Sequence, residues 1–216
     1  MKLLIAIPTL DFIEAEFVKC LLRLCKKLTD DGIQYDVEIK NGTLVYLARD
    51  RLAGKAIDEG YTEVLWIDSD MIFEPEIFED LHDAHKPLIS GVYCTRRPGY
   101  GSVLFEQLDD IKKLKHLPFE DIPKETFEVQ GFGFGCVLTQ TEALKEVKDQ
   151  YGTCFTPLHQ YGEDLAFCLR ARKLGFSCWC EPTVRLGHIG HIPVYPGDNE
   201  RWRQSLQFAD GGGQNA

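Results

Sequence analysis

The stretch LWIDSDM, residues 65–71, ends an apolar run with two aspartates, Asp68 and Asp70, on either side of Ser69. The apolar residues predict a buried β-strand. In an open α/β sheet, ligands gather at the carboxyl ends of the strands, which is where these carboxylates stand. Because residues two apart on an extended segment point the same way, we expect both carboxylates to approach one ligand.

Two carboxylates this close repel each other unless a cation or a proton lies between them. Hard oxygen ligands suit Mg²⁺ or Mn²⁺, and these ions commonly hold phosphates. The stretch therefore predicts a divalent-cation site. A structural interpretation stays open, in which Asp70 only begins the turn before PEIFEDL, because D-x-D motifs also occur by chance.

The flanking sequence predicts an α/β fold. Apolar or alternating runs indicate strands at 3–7, 35–39, 63–67 and 87–93. Helical spacing indicates helices at 13–28, 47–59 and 75–85. Asp11 and Glu14 resemble a capping box that opens the first of these helices. Because strands alternate with helices, we expect a largely parallel sheet flanked by helices.

The second half of the chain is organised differently. TFEVQGFGFGCVLTQ, residues 126–140, predicts two β-like stretches separated by glycines, and further helices and a strand follow it. Residues 96–126 are polar and indicate a loop. We expect one domain over residues 1–195, followed by a partly disordered tail at 196–216.

Composition excludes several function classes. The 216 residues carry a formal net charge of −10, which argues against nonspecific binding to the nucleic-acid backbone. No apolar run reaches the roughly 18 residues of a membrane span. MKLLIAIPTL lacks the basic region and cleavage site of a signal peptide. These features predict a cytoplasmic protein without a membrane span.

The eight cysteines are expected to be reduced and mostly buried, since no secretion signal precedes them. A four-ligand zinc site could be formed by Cys178, Cys180, His188 and His191. The C-x-C and H-x-x-H spacings, however, depart from those of zinc fingers. The alternation in FSCWC instead predicts a strand with both thiols on one face, beside Phe176.

Two further motifs carry candidate chemistry. Glu163 and Asp164 start a predicted helix, where the positive end of the helix dipole keeps carboxylates ionised, as a general base requires. Helix capping is the structural alternative for both residues. In VRLGHIGH, His188 lies between glycines and is a candidate third metal ligand, whereas His191 is expected to contact the protein or an acceptor.

The order of these motifs, D-x-D, glycine-rich strand, G-E-D helix and G-H loop, resembles the GT-A-fold glycosyltransferases. The resemblance is to the broad, inverting, family 2-like group that includes small bacterial and phage sugar transferases, and it spans residues 1 to about 195. It implies transfer of a sugar from a nucleotide-diphosphate sugar, most commonly a UDP-sugar, to a hydroxyl acceptor. Some GT-A enzymes with a similar loop retain configuration, so the stereochemistry stays open.

The resemblance also implies roles for single residues. For the donor it places Pro8 and Thr9 at the base, Arg49 near the diphosphate and Asp68 at the ribose or metal. Ser69, between the two aspartates, is a further donor-binding residue. Asp70 and His188 become ligands of Mn²⁺ or Mg²⁺, and Asp68 is a further metal candidate. Asp164 matches the catalytic base, and Glu163 matches an acceptor-binding carboxylate.

The glycines of GFGFG add a donor contact of their own. Without side chains, Gly131, Gly133 and Gly135 would let the main chain approach the donor sugar, and a bulge or hairpin turn is the structural alternative.

Two other functions compete with glycosyl transfer. A sugar nucleotidyltransferase would share the α/β architecture, but its first strand normally runs into a glycine-rich phosphate loop, and IAIPTLDF contains no glycine. A noncatalytic nucleotide-binding or carbohydrate-binding protein of the same fold is the other alternative. Turnover of a nucleotide sugar would separate these functions.

Overall fold

The protein is described here by a computed structural model that covers residues 1–96, 99–108, 114–159 and 161–190. His191 lies outside these ranges, as does the predicted boundary between the domain of 1–195 and the tail of 196–216. That domain division therefore stays a prediction.

The helices are α1 (Ala15–Asp30), α2 (Val45–Asp58), α3 (Ile77–Asp83), α4 (Thr141–Tyr151) and α5 (Glu163–Lys173). The strands of the first half are β1 (Leu3–Pro8), β2 (Tyr35–Lys40), β3 (Glu63–Ile67), β4 (Met71–Ile72), β5 (Leu88–Val92) and β6 (Leu104–Gln107). Those of the second half are β7 (Lys115–His116), β8 (Phe127–Val129), β9 (Gly131–Phe132), β10 (Cys136–Gln140), β11 (Cys178–Arg185) and β12 (Gly187–His188).

The central sheet has seven strands in the order β2-β1-β3-β10-β5-β11-β8. β1 pairs in parallel with β2 and β3, and β11 pairs in parallel with β5. β10 lies antiparallel between β3 and β5, and β8 is antiparallel to β11. The predicted α/β architecture with a largely parallel sheet is confirmed, and the five parallel strands end at one edge.

Two apolar clusters pack against the sheet. Alternate residues of β1 divide between them: Leu4 belongs to the cluster that contains side chains of α2, α4 and α5, and Ile5 belongs to the cluster of α1 and α3. This division follows from the period of two along a strand. Helices cover both faces of the sheet, so its inner strands β1, β3, β10 and β5 are buried on both sides, and the candidate functional side chains fall at the strand ends.

The predicted capping box at the start of α1 is wrong. The helix begins at Ala15 with Glu14 as its N-cap residue, and no side-chain hydrogen bond caps it in the described structure. The main chain enters the helix differently, because the Glu14 N–H donates to the Ser69 carbonyl at 3.2 Å. This bond ties the start of α1 to the D-x-D segment.

The prediction of a loop over residues 96–126 is also wrong. β6 and β7 lie in this region and form a three-stranded sheet with β9. Their polar sequence reflects exposure, since Glu106, Gln107 and both residues of β7 face solvent. The glycine-rich segment likewise supplies three strands, β8, β9 and β10, where two were expected.

The thiols of Cys178 and Cys180 are buried in β11 and belong to one apolar cluster, against which Phe176 packs. The strand prediction for FSCWC is thus confirmed, and the described residues of the proposed zinc set do not form a metal-binding group. The helices of the described ranges are each too short or too polar to cross a bilayer.

Candidate active site

The D-x-D segment turns as it leaves β3. The Asp68 N–H donates to the Gly135 carbonyl at 3.0 Å, and the Met71 N–H donates back to the Asp68 carbonyl at 3.2 Å. The two carboxylates interact electrostatically but make different contacts, and their approach to one ligand stays a prediction. Asp68 faces Arg49, whereas Asp70 faces Arg96 and His188.

Asp70 and His188 are brought together by a two-stranded ribbon. β4 and β12 pair antiparallel with Met71 opposite His188, and the Ile189 N–H donates to the Asp70 carbonyl at 2.8 Å. The His188 Nε2 atom lies 3.6 Å from Asp70 Oδ2. The ribbon therefore places the G-H loop beside the D-x-D motif, as the resemblance implied.

A hydrogen bond to the main chain fixes the orientation of the His188 ring. Its Nδ1 lies 2.8 Å from the Cys94 carbonyl, which can only accept, so Nδ1 carries the hydrogen and donates it. In the neutral ring this leaves the Nε2 lone pair directed to the side of Asp70. Burial lowers the pKa of His188, but the nearby Asp70 carboxylate and the Cys94 carbonyl outweigh it, and the net pKa is raised.

The donor chemistry of this pair fits a divalent cation. Asp70 Oδ1 is buried and has no hydrogen-bond partner among the described residues, so one carboxylate oxygen is left for another ligand. A carboxylate and an imidazole are both ligands of Mn²⁺. No cluster of three or more His, Cys, Asp or Glu side chains occurs within the described ranges, so water or phosphate oxygens would complete the coordination.

Arg49 ties the D-x-D segment to α5. Its side chain is only 3% exposed; Nη2 donates to Asp68 Oδ1 at 2.8 Å, and Nη1 donates to Glu163 Oε1 at 2.5 Å. Burial raises the pKa of Asp68, and the Arg49 charge partly opposes that rise. The Oδ1 atom of Asp68 is occupied by this contact, and the role of Asp68 as a metal ligand stays a prediction.

Asp164 lies in the first turn of α5, after Gly162. Its Oδ1 accepts from the Leu165 N–H at 2.7 Å, so it partly serves the capping function proposed as the structural alternative. Burial, together with the charge of Glu163, raises the pKa of Asp164 to about 6. Burial and the charge of Glu163 therefore outweigh any lowering of this pKa by the helix dipole. With a pKa of about 6, the carboxylate is still mostly ionised at pH 7.

Two cavities adjoin at Arg96. The first, of about 500 Å³, is lined by Pro8, Thr9, Asp68, Ser69, Asp70, Arg96 and neighbouring loop residues. The second, of about 550 Å³, is lined by Tyr93, Thr95, Arg96, Val103, Phe105, His116, Gly133, Asp164 and His188. Most of the predicted site residues line one of these two cavities; Arg49, Glu163, Gly131 and Gly135 line neither, and His191 lies outside the described residues.

The glycines of GFGFG have a packing role. A Cβ atom at Gly133 would lie 2.6 Å from the Tyr93 hydroxyl, and one at Gly135 would lie 2.6 Å from Tyr93 Cζ. The Gly135 N–H donates to the same hydroxyl at 2.7 Å. These glycines make room for Tyr93, whose ring meets the His188 ring edge-on at 5.5 Å. Contact of Gly133 with a donor sugar stays a prediction.

Six residues of the second cavity were not predicted from the sequence, and four of them carry aromatic or charged side chains. Tyr93 and Arg96 follow β5, and their place at the carboxyl edge of the sheet was the one available signal. Phe105 and His116 belong to the strands that were read as a loop, and their rings lie 4.3 Å apart. Their pairing depends on contacts between distant residues, so no local pattern identified them.

A third cavity, of about 590 Å³, lies at the opposite end of the sheet. It includes Thr62, Glu63 and His82, at the start of β3 and on α3. None of the predicted site residues lines it, so the two cavities at the carboxyl edge are the candidate active site.

Comparisons with known proteins support the fold. No protein-family model matches the chain, and no curated protein matches it in sequence. The structure is similar to A197 from STIV, with 16% identity, a TM-score of 0.58, and coverage of 88% of this chain and 87% of that chain.

Two glycosyltransferases are also similar in structure. GalNAc-T7, solved with UDP, GalNAc and Mn²⁺, has 11% identity and a TM-score of 0.57, with coverage of 91% of this chain and 44% of that chain. The catalytic domain of Drosophila β1,4-galactosyltransferase 7, solved with xylobiose, has 14% identity and a TM-score of 0.50, with coverage of 92% and 78%. Identities this low show the fold alone, and the predicted GT-A fold is confirmed.

Proposed function

We propose that the protein is a metal-dependent glycosyltransferase that moves a sugar from a nucleotide-diphosphate sugar to a hydroxyl acceptor, with inversion of configuration at the anomeric carbon. The proposed donor is a UDP-sugar. The observation that carries the proposal is the placement of the Asp70 and His188 pair and of Asp164 around two adjoining cavities. A donor across their junction would direct its phosphates to the pair and its anomeric carbon to Asp164.

The first cavity suits the nucleoside of the donor. The Ser69 hydroxyl donates to Thr9 Oγ1 at 3.0 Å, and the Thr9 hydroxyl donates to the Phe12 carbonyl at 2.8 Å. These bonds hold small polar side chains at the ends of β1 and β3. Phe12 and Leu10 are 86% and 63% exposed at the rim, where a base would cover apolar surface.

The pair of Asp70 and His188 would hold Mn²⁺ or Mg²⁺. When bound there, the cation would neutralise the negative charge of the leaving diphosphate. Arg49 supports this site from behind, because it anchors Asp68 at the start of the same turn and Glu163 at the start of α5. Pre-positioned side chains reduce the reorganisation needed during reaction.

Asp164 serves as the general base. The acceptor oxygen forms a bond to the anomeric carbon while the bond from that carbon to the phosphate oxygen breaks, and the hydroxyl proton passes to Asp164. A pKa of about 6 leaves this carboxylate ionised at pH 7 and basic enough to receive the proton. Phe105 and His116 line the same cavity, where their rings would support the acceptor. Glu163 is assigned to orient it.

The proposal is tested by incubating the purified protein with a panel of nucleotide sugars and Mn²⁺, without acceptor, and measuring release of free sugar and nucleoside diphosphate. Water then replaces the acceptor. We expect slow hydrolysis of at least one donor, loss of it with a chelator, and loss of it in Asp164→Asn. Asp149→Asn, an exposed aspartate of α4, is the matched control and should keep wild-type turnover.

Other products would overturn the proposal. Cleavage between the two phosphates would indicate nucleotidyl chemistry, and binding of a donor without turnover under any condition would indicate a noncatalytic binding protein. Hydrolysis that continues in Asp164→Asn at the wild-type rate would remove Asp164 as the base.

A further inference from the structure

Arg96 stands at the junction of the two cavities and lines both. It follows β5, where the neighbouring Thr95 N–H donates to the Gly101 carbonyl at 2.9 Å. Its side chain is 50% exposed, and Nη1 donates to Asp70 Oδ2 at 2.7 Å. The guanidinium thus lies on the carboxylate proposed to bind the cation.

The Arg96 guanidinium and the proposed divalent cation would compete for the Asp70 carboxylate. Asp70 Oδ2 already accepts from Arg96 and lies 3.6 Å from His188 Nε2. A divalent ion held between these two side chains would sit within a few ångströms of the guanidinium, where like charges repel strongly in a partly buried site. In the arrangement described, Arg96 therefore opposes binding of the ion.

The charges around Arg96 indicate which group its guanidinium would contact after leaving Asp70. Asp68, Asp70 and Asp164 line the two cavities, and the Arg49 guanidinium is committed to Asp68 and Glu163. A diphosphate entering this acidic site needs positive charge beyond that of one divalent ion. Arg96 is the half-exposed arginine at the junction, and its planar fork matches phosphate oxygens in a bidentate manner.

We propose that Arg96 exchanges partners during donor binding: it pairs with Asp70 in the free protein, and it moves to the donor diphosphate when the divalent cation takes Asp70. This inference rests on the proposed function, because it assumes the cation site of Asp70 and His188. Arg96 would thus have two roles: it would compete with the cation for Asp70, and it would bind the donor diphosphate. Removal of Arg96 consequently has opposite effects on two binding reactions.

The test measures both reactions by calorimetry in wild type, Arg96→Gln and Arg23→Gln. Arg23 is the matched control, because it is 53% exposed, pairs with Glu74 at 3.9 Å and lines neither of the two cavities. For Arg96→Gln we expect Mn²⁺ alone to bind about twofold to fivefold tighter, as the loss of a partly exposed ion pair allows. With saturating Mn²⁺, UDP should bind about tenfold weaker or more.

Arg23→Gln should match wild type in both titrations. Unchanged or weaker Mn²⁺ binding by Arg96→Gln would overturn the competition, and unchanged UDP affinity would overturn the move to the diphosphate. Asp70→Asn separates this failure from failure of the proposed function. If Asp70→Asn loses Mn²⁺ binding while Arg96→Gln behaves as wild type, only the inference fails. If Asp70→Asn keeps the wild-type affinity for Mn²⁺, or if wild type binds UDP equally well with and without Mn²⁺, the cation site itself fails.

Discussion

Asp164 has an environment that opposes its charge. Its ordinary pKa of 3.8 is raised to about 6, chiefly by burial and then by the charge of Glu163. Between these two values the folded protein binds a proton that the unfolded chain releases. The contribution of this group to stability is therefore present below pH 4 and is lost as pH rises through about 6.

Asp164→Asn is predicted to make the ligand-free protein more stable at pH 7, by up to about 3 kcal/mol for a shift of about two pH units. Turnover should fall by about 10²–10⁴-fold, because the amide cannot accept the proton. Thermal unfolding at pH 4.5 and pH 7.5 checks the sign, since the gain should appear at the higher pH. A variant that is less stable at pH 7.5 would show that burial does not penalise this carboxylate.

The pH profile gives a second test of Asp164. In wild type, kcat/KM for donor hydrolysis should fall as pH drops through about 6, where the base of the free enzyme becomes protonated. The measurement should use saturating Mn²⁺ at each pH. A profile that stays flat from pH 8 to pH 5 would exclude Asp164 as the titrating base.

Arg49 has a structural task that can be measured separately from turnover. Arg49→Met removes the charge that two buried or half-buried carboxylates share, and we expect a loss of about 3–5 kcal/mol in the free energy of unfolding. Arg51→Met, at an exposed position of the same helix, should change stability by about 0.5 kcal/mol or less. Equal urea midpoints for the two variants would contradict the contact described here.

At the scale of elements, the glycine-rich segment, β5 and the Tyr93 that follows it are fitted to each other. Gly133→Ala should destabilise the protein by about 1–3 kcal/mol through overpacking against the Tyr93 hydroxyl. Adding Tyr93→Phe should recover part of that loss, because it removes the atom 2.6 Å from the new Cβ. Gly135→Ala should not be rescued, since ring carbons at 2.6 and 2.9 Å remain.

A double-mutant cycle on urea unfolding checks this pair of predictions. The cycle should give a favourable coupling between positions 93 and 133, and a smaller or absent one between 93 and 135. A larger coupling energy between positions 93 and 135 than between positions 93 and 133 would mean that the Tyr93 ring is not packed against these glycines in this way.

Most elements could be predicted because their signals are local. β1, β2, β3 and β5 have apolar or alternating runs, and the helices between them have a periodic apolar face. β6 and β7 could not be predicted, since four of their six residues are exposed and their pairing with β9 joins distant parts of the chain. Strand pairing of this kind leaves little trace in a short window of sequence.

The same distinction holds for the site. The carboxyl ends of β1 and β3 placed Thr9, Asp68 and Asp70 at one edge, as expected from the topology of α/β sheets. The bonds of Asp68 to Arg49 and to the Gly135 carbonyl could not be predicted, because both partners are distant in sequence. Arg96 was missed for a similar reason: its partner is reached only in the folded chain.

At the scale of the whole molecule, the fold is shared with glycosyltransferases at 11% and 14% identity, and fold alone does not determine function. The proposed catalysis therefore depends on the local chemistry of Asp70, His188 and Asp164. These three side chains come from the D-x-D turn, the short strand β12 and the start of α5. Their meeting at one edge is the property of the fold that matters for function.

In the proposed function, a divalent cation on Asp70 and His188 links the protein to a nucleoside diphosphate. The most direct test is calorimetry of UDP with wild type, Asp70→Asn and His188→Ala, each with Mn²⁺ and with a chelator. We predict that wild type binds UDP at least tenfold tighter with Mn²⁺, and that both variants lose this difference while remaining folded. Equal UDP affinity with and without Mn²⁺ in wild type, or a full Mn²⁺ effect in both variants, would contradict the account.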